Sequence, residues 1–313
     1  MALYRGNRVA VIVPCYNEAA AVASVVAGFG AAIPEASIHV FDNASSDGTG
    51  AAARAAGADV TLVRHRGKGN VVRRMFADVD ADIYLMADGD GTYDAGAARR
   101  LVDTLLDERL DVVVGTRTAP ADKTERFGHR FGNRALTGAV ARVFGDGFTD
   151  MLSGYRALSR RYVKSFPALS KGFEIETELT IHALELRAPH GEVATTYGDR
   201  VAGTESKLST WGDGWRILMT ILRLHMLERP LEFYLTLALA GVFTSLGLGI
   251  PVVIEYLQTG LVARFPTAIA AVGFMLGALV CGAAALILDS VVTGRREAKR
   301  LVYLSIPAAR PTD

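Results

Sequence analysis

The hydrophobic positions of this 313-residue chain fall into two regimes. From residue 9 to about residue 117, short β-branched runs alternate with Ala-rich stretches of helical period. Strands buried on both faces read as continuous apolar runs, and a crossover helix buries one stripe, so this alternation predicts βαβ units around a mainly parallel sheet. Strands are expected at 9–13, 38–41, 60–63, 83–86 and 112–116, and helices at 19–29, 49–56, 68–79 and 95–105. Polar or Gly-containing segments follow each strand. In open α/β sheets ligands settle beyond the carboxyl ends of the strands, so the chemistry belongs in those segments.

The second regime lies near the C-terminus. Residues 233–254 run about 22 residues without a charge and residues 265–288 about 24, each long enough to cross a hydrocarbon core. Gly247, Gly249 and Pro251 would weaken a soluble helix but are tolerated in membrane helices. Buried core helices are the alternative, disfavoured because soluble helices rarely stay apolar on every face for that length. The short connector 255–264 predicts a hairpin. Arg216, Arg223 and Arg229 precede it and Arg295, Arg296, Lys299 and Arg300 follow it, while the connector holds Arg264. This asymmetry predicts an integral membrane protein with the catalytic domain and both termini cytoplasmic. Residues 1–8 lack the three regions of a signal peptide, so insertion is assigned to the hairpin. Trp211, Trp215, Leu218, Leu222 and His225 recur at helical spacing opposite Asp213, Arg216 and Arg223, which fits an interfacial amphipathic helix or a plain packing face equally. The expected organisation is therefore 1–210 catalytic, 211–231 juxtamembrane, 232–290 membrane hairpin and 291–313 tail.

Charge and cysteine usage exclude other classes. A formal net charge of +1 gives no general attraction to nucleic acid. Cys15 and Cys281 suggest neither a disulfide framework nor a zinc cluster, in keeping with a reducing compartment.

The densest chemistry is Asp88-Gly89-Asp90-Gly91-Thr92, after the fourth expected strand. Two carboxylates one residue apart can share a divalent cation with a diphosphate, and hard oxygen ligands suit magnesium or manganese. Such an ion would neutralise charge developing on a leaving nucleoside diphosphate. An EF-hand loop is excluded, because its twelfth position would be Arg99 and a strand precedes it. A solvated acidic turn is the plainer alternative. Pro14-Cys15-Tyr16-Asn17-Glu18 closes the first strand, and Asp42-Asn43-Ala44-Ser45-Ser46-Asp47-Gly48-Thr49 closes the second and opens a helix. Gly67-Lys68-Gly69-Asn70 lacks the upstream Gly and following Ser or Thr of a Walker loop.

Further on come Gly115-Thr116-Arg117, then Arg126, Arg130 and Asn133, then Asp150-Met151-Leu152-Ser153-Gly154-Tyr155-Arg156, then Arg200 to Leu208 with Ser206 and Lys207. A guanidinium offers a planar, permanently charged fork, so Arg117, Arg126 and Arg130 are candidates for holding a phosphate group, with surface ion pairing as the alternative. Glu174, Glu176 and Glu178 alternate at an expected strand or helix start. They read as solvated carboxylates, one of which could orient a sugar hydroxyl.

Together these segments resemble the family 2 glycosyltransferases of GT-A fold. Their order through nearly the whole catalytic domain is similar to that of dolichol-phosphate mannose synthases and bactoprenol glucosyltransferases. The resemblance implies a Rossmann-like, mainly parallel α/β domain in which Pro14, Tyr16, Asn17, Glu18, Asp42 and Asn43 hold base and ribose. Asp88, Gly89 and Asp90 would then take metal and diphosphate, with Lys68, Ser153 and Gly154 near the donor. Arg200, Ser206 and Lys207 would lie on a loop closing over both reactants, excluding water. The chain departs from the pattern at Asn43, where a second Asp is common, and at Arg130, where Ser is usual. The Gln-x-x-Arg-Trp motif of processive synthases is absent from the sequence, which implies one transfer per acceptor.

The expected activity is inverting transfer of one hexosyl or N-acetylhexosaminyl group from a nucleotide diphosphate sugar to an undecaprenyl, decaprenyl or dolichyl monophosphate at the lipid bilayer. Its product would be a lipid-linked phosphosugar for envelope or glycan assembly. A hydroxyl acceptor would need a carboxylate base instead, and a non-catalytic sugar-nucleotide scaffold is the third reading. Gly273, Gly277 and Ala284 offer small faces for a homo-oligomer or for packing within the hairpin.

Overall fold

The computed structural model describes residues 2–118, 147–172, 174–198, 226 and 229–311. The chain divides into two compact units, one of residues 1–213 with 298–313 and one of residues 214–297.

In the first unit, seven described strands form one sheet, β1 (Val9–Cys15), β2 (Ser37–Asp42), β3 (Asp59–Leu62), β4 (Ile83–Met86), β5 (Val112–Thr118), β6 (Arg156–Ser159) and β7 (His190–Thr196). Their order is β3-β2-β1-β4-β6-β5-β7. All neighbours are parallel except β6, which runs against both β4 and β5. The first five strands lie within two residues of expectation. Between them run α1 (Ala19–Ala32), α2 (Thr49–Ala55), α3 (Lys68–Asp78) and α4 (Ala98–Asp107), the last preceded by a 3-10 turn at Ala95–Ala97. That turn replaces the expected helix start, because the Asp94 side chain caps it by accepting from Gly96 N–H. Every residue of β1 and β4 is buried, and α1 and α4 cover one face with Val22, Val26, Phe29, Leu101, Val102 and Leu105.

The antiparallel β6 decides where the site lies. Its first residue, Arg156, pairs with Met86 at the end of β4. The segment before β6 therefore reaches the same sheet edge as the segments that follow β1, β2 and β4. After β6 come α5 (Arg160–Ser165) and α6 (Ile175–Leu186), so Glu174, Glu176 and Glu178 sit at a helix start.

The last residues of the chain belong to this unit and dock at the opposite edge. Tyr303 OH donates to Asp111 Oδ2 at 2.6 Å, and Lys299 Nζ lies 2.7 Å from Glu185. Asn7 donates to the Arg310 carbonyl at 2.9 Å.

The second unit holds α7 (Pro230–Thr259) and most of α8 (Phe265–Leu304), both long and apolar enough to cross a membrane. Only 17% of the most apolar window of each is buried. Apart from Pro230 at the start of α7 and Tyr303 near the end of α8, the buried positions are Ala238, Ser245 and Val252 on α7 and Ala271, Ala278, Ala285 and Val292 on α8, each set spaced by seven. A seven-residue repeat keeps one seam facing a partner helix. Ser245 Oγ donates across that seam to the Ala271 carbonyl at 2.7 Å. A Cβ on Gly241 would meet Ala278 Cβ at 3.1 Å, whereas one on Gly273 or Gly277 would meet nothing within 4 Å. The intramolecular seam thus uses neither of those two glycines. The second helix also extends past residue 288, the end of its uncharged run.

Candidate active site

At the carboxyl edge of the sheet the loops after β1 and β2 are stitched together by short polar side chains. Asn17 N–H donates to Ser45 Oγ at 3.0 Å, and Ser46 N–H donates to Asn17 Oδ1 at 3.0 Å. Glu18 N–H donates to Thr49 Oγ1 at 2.9 Å, and Ala19 N–H to Asp47 Oδ2 at 3.0 Å. Asp42 Oδ1 accepts from Ser45 N–H at 2.9 Å. Asn and Asp favour such turns because their side chains substitute for backbone partners. The Arg66 guanidinium lies 5.3 Å from the centre of the Tyr16 ring.

Next to this platform stands a cluster of charge. Lys68 Nζ is 2.5 Å from Asp88 Oδ1 and 2.5 Å from Glu176 Oε1. Burial opposes its charge, yet the two carboxylates outweigh burial and raise the Lys68 pKa. Asp90 is buried, and its Oδ1 accepts from both the amide and the hydroxyl of Thr92, at 3.1 and 2.6 Å. Glu18 comes against the same turn: a Cβ on Gly89 would lie 2.5 Å from Glu18 Oε2 and 2.3 Å from Cys15 Sγ. Burial, then the Asp88 and Asp90 charges, push the Glu18 carboxyl up to about 7. Its Oε2 is buried and without a hydrogen-bond partner, as is Oε2 of Glu176.

Gly154 forms a wall against Asp88. A Cβ there would approach Asp88 Oδ2 to 2.8 Å, and its N–H donates to Tyr93 OH at 2.9 Å. Ser153 does not face the cluster; its Oγ donates to the Gly115 carbonyl at 2.6 Å and ties the segment to β5. Arg156 is fully buried and donates to the carbonyls of Ser153, Met151 and Glu176, at 2.9, 2.6 and 3.2 Å. It thereby fixes the wall to the start of α6. Arg117 forms a fork with Asp150, both contacts at 2.7 Å, and lies 5.6 Å from the Tyr197 ring centre.

The structure thus brings Tyr16, Asn17, Glu18, Asp42, Asn43, Lys68, Asp88, Gly89, Asp90 and Gly154 to one edge, with Pro14 inside β1. Arg126, Arg130, Arg200, Ser206 and Lys207 lie outside the described residues, as does the segment with Trp211 and Trp215. Glu176 corrects the sequence reading: it is a buried partner of Lys68, not a solvated carboxylate. The alternation Glu174, Glu176, Glu178 mimics a solvated strand, whereas helical spacing turns the middle residue inward. Arg156 was legible only as part of a motif, without a role.

Among the described residues no group of three or more His, Cys, Asp or Glu could enclose a metal ion. That is compatible with a hard divalent cation, since magnesium is commonly held by one or two carboxylates with the substrate's phosphates and water completing the shell. Asp88 and Asp90 are the carboxylates that would supply those oxygens, with the Glu18 carboxyl, held near neutrality by burial and by their charges, beside them.

Residues 10–166 match the description Glycosyl transferase family 2. AglJ, a glycosyltransferase of Haloferax volcanii, is 34% identical over 280 residues, which cover 87% of this chain and 89% of AglJ. The chain belongs to glycosyltransferase family 2. The enzyme is also 29% identical over 216 residues to the undecaprenyl-phosphate mannosyltransferase of Micrococcus luteus, covering 64% of this chain and 88% of that one. Its catalytic unit has the GT-A fold: glucosyl-3-phosphoglycerate synthase of Mycobacterium tuberculosis, solved with Mn2+ and UDP-glucose, superposes with a TM-score of 0.56 at 24% identity, over 70% of this chain and 79% of that one.

Proposed function

We propose that this glycosyltransferase moves one sugar from a nucleoside diphosphate donor onto the phosphate of a polyprenyl monophosphate at the membrane surface. The observation that carries the reading is Lys68 held between Asp88 and Glu176 at the carboxyl edge of the sheet, in a chain with two helices fit to cross a bilayer. The likeness to an enzyme named for undecaprenyl phosphate supports the acceptor class.

In this reading Tyr16, Asn17 and Asp42 border the nucleoside and Lys68 faces the diphosphate. Magnesium or manganese bound by Asp88 and Asp90 would supply charge neutralisation for the leaving group. Arg117, its plane set by the Asp150 fork, keeps Nη1 outside that fork for the acceptor phosphate. Arg126, Arg130, Arg200, Ser206 and Lys207 are assigned to the acceptor pocket and closing loop. A lipid monophosphate is substantially ionised at neutral pH, its second pKa being about 6 by analogy with phosphoserine. No general base is then needed, and catalysis reduces to alignment and charge stabilisation. A phosphate oxygen bonds to the anomeric carbon as the carbon–oxygen bond to the diphosphate breaks, so configuration inverts and an α-linked donor gives a β-linked product. The catalytic unit and both termini are assigned to the cytoplasmic side from the Lys and Arg asymmetry.

Purified full-length protein, polyprenyl phosphate, magnesium or manganese and a panel of nucleotide sugars, read by mass spectrometry, test the proposal. One sugar per lipid phosphate is expected, with a β anomer by NMR. Equal turnover of the dephosphorylated polyprenol would overturn the acceptor assignment, and an α product would overturn the displacement.

A further inference from the structure

We propose that Asn43 is a positioning residue for Lys68 and not a reader of the donor base. The inference rests on the assignment of Lys68 to the donor diphosphate made above.

Asn43 is 5% exposed and follows the last residue of β2. Its backbone is fixed, since its N–H donates to the Cys15 carbonyl at 2.8 Å. A side-chain amide has two protons to give, and here Nδ2 donates to the Val63 carbonyl at 3.0 Å and the His65 carbonyl at 2.8 Å. Oδ1 accepts from Gly67 N–H at 2.7 Å. Both donors are therefore committed to the loop between β3 and α3, and the acceptor holds the residue that immediately precedes Lys68. No donor remains with which Asn43 could read a nucleobase edge.

The far side of the same loop is equally constrained. Gly67 adopts φ +118°, and a Cβ there would fall 2.2 Å from the Lys171 carbonyl oxygen; one on Gly69 would fall 2.2 Å from that of Ser170. The Gly residues flanking Lys68 thus admit a close backbone approach. Residues 168–170 are themselves held, Ala168 O by Arg73 Nε at 2.9 Å and the amides of Leu169 and Ser170 by Glu178 at 2.9 and 2.8 Å. Lys68 starts α3 from a loop gripped on one side by Asn43 and on the other by the segment leading to Glu176. A carboxylate at position 43 would set an oxygen against two carbonyl oxygens and give up both donors. The departure from the common Asp is, in this chain, a requirement of the loop.

The test uses full-length Asn43→Asp, Lys68→Met and the double variant. Asn43→Asp is expected to lower kcat on the order of tenfold or more, because small misplacements of a positioned group are costly. The ratio of inhibition by UDP and GDP should stay as in the parent, and hydrogen exchange at the Gly67 amide should accelerate. In the double variant Asn43→Asp should add little to the loss from Lys68→Met, as expected of residues acting through one another. Intact kcat with a changed UDP-to-GDP ratio would overturn this inference alone, as would strictly additive losses. Full turnover by Lys68→Met would overturn the diphosphate reading first, while Gly67 exchange still reports whether Asn43 grips the loop. If Asn43→Asp does not fold, Asn43→Ser, which keeps one donor, should show the same kcat loss and exchange change in weaker form.

Discussion

Two buried carboxylate clusters sit at opposite edges of one sheet, and their partners differ in kind. Asp111, before β5, receives four donors: Ser159 Oγ, Arg161 Nε, Arg161 Nη2 and Tyr303 OH, each at 2.6 Å. At the carboxyl edge, Glu18 and Glu176 each keep a buried oxygen without a partner. Buried polar groups in native proteins are mostly satisfied, so the saturated site reads as a structural bolt, while the carboxyl edge keeps carboxylate oxygens that the protein's own donors do not use up. The comparison separates stability from chemistry within a single domain.

The strongest way to break it is to exchange the consequences. Asp111→Ala strands Arg161 and frees Tyr303, and removing one partner of a buried pair costs roughly 3–5 kcal/mol. A clearly lower Tm is expected, with kcat per folded enzyme unchanged. Glu176→Gln should do the reverse, lowering kcat while moving Tm less than Asp111→Ala does. Thermal unfolding and turnover measured on the same preparations decide; a crippled kcat in folded Asp111→Ala would mean that the two edges are not separable.

How much of this was legible beforehand follows from what each element is made of. β1 to β5 are β-branched runs bounded by Gly and acidic turns, and their places were readable. β6 was not, because it has four residues, begins with the charged Arg156, and owes its existence to pairing with β4 and β5. The same holds for the site. Asp88 and Asp90 announce themselves by adjacency, whereas Glu176 reaches Lys68 only through a reversed strand and two helices that no local pattern encodes. The docking of Tyr303 on Asp111 spans 192 residues and is invisible to any window.

A smaller effect comes from His182, whose ring lies tilted against those of Tyr162 and Phe166, with ring centres 5.1 and 5.3 Å away. Ser165 Oγ gives its one proton to the Tyr162 carbonyl, so it accepts from His182 Nε2 at 3.0 Å, and Nδ1 is left buried without a partner. Burial, and after it the Lys299 charge, push the imidazole down to about 3 from its ordinary 6.5. The unfolded chain binds a proton between these values and the folded one does not, so stability is fully present above pH 6.5 and is lost as pH falls toward 3. Replacing His182 with Phe should flatten the Tm-against-pH curve in that window by the contribution of about one proton. An unchanged slope would show that His182 titrates normally.

The least effect is expected where a charge pair meets neither edge. Arg74 Nε lies 2.6 Å from Asp78 Oδ2, one helical turn away on α3, and the Arg74 side chain is 60% exposed. An exposed pair at this spacing gains little because water screens it and two long side chains lose freedom, leaving about 0.3–0.5 kcal/mol. Arg74→Ala should therefore leave both Tm and kcat within experimental scatter, even though its contact is as short as those around Asp111. Burial and saturation, not distance, set what a charge contributes in this fold. A Tm loss in Arg74→Ala as large as that of Asp111→Ala would contradict that rule, because the two contacts share their length and differ in exposure and in the number of donors.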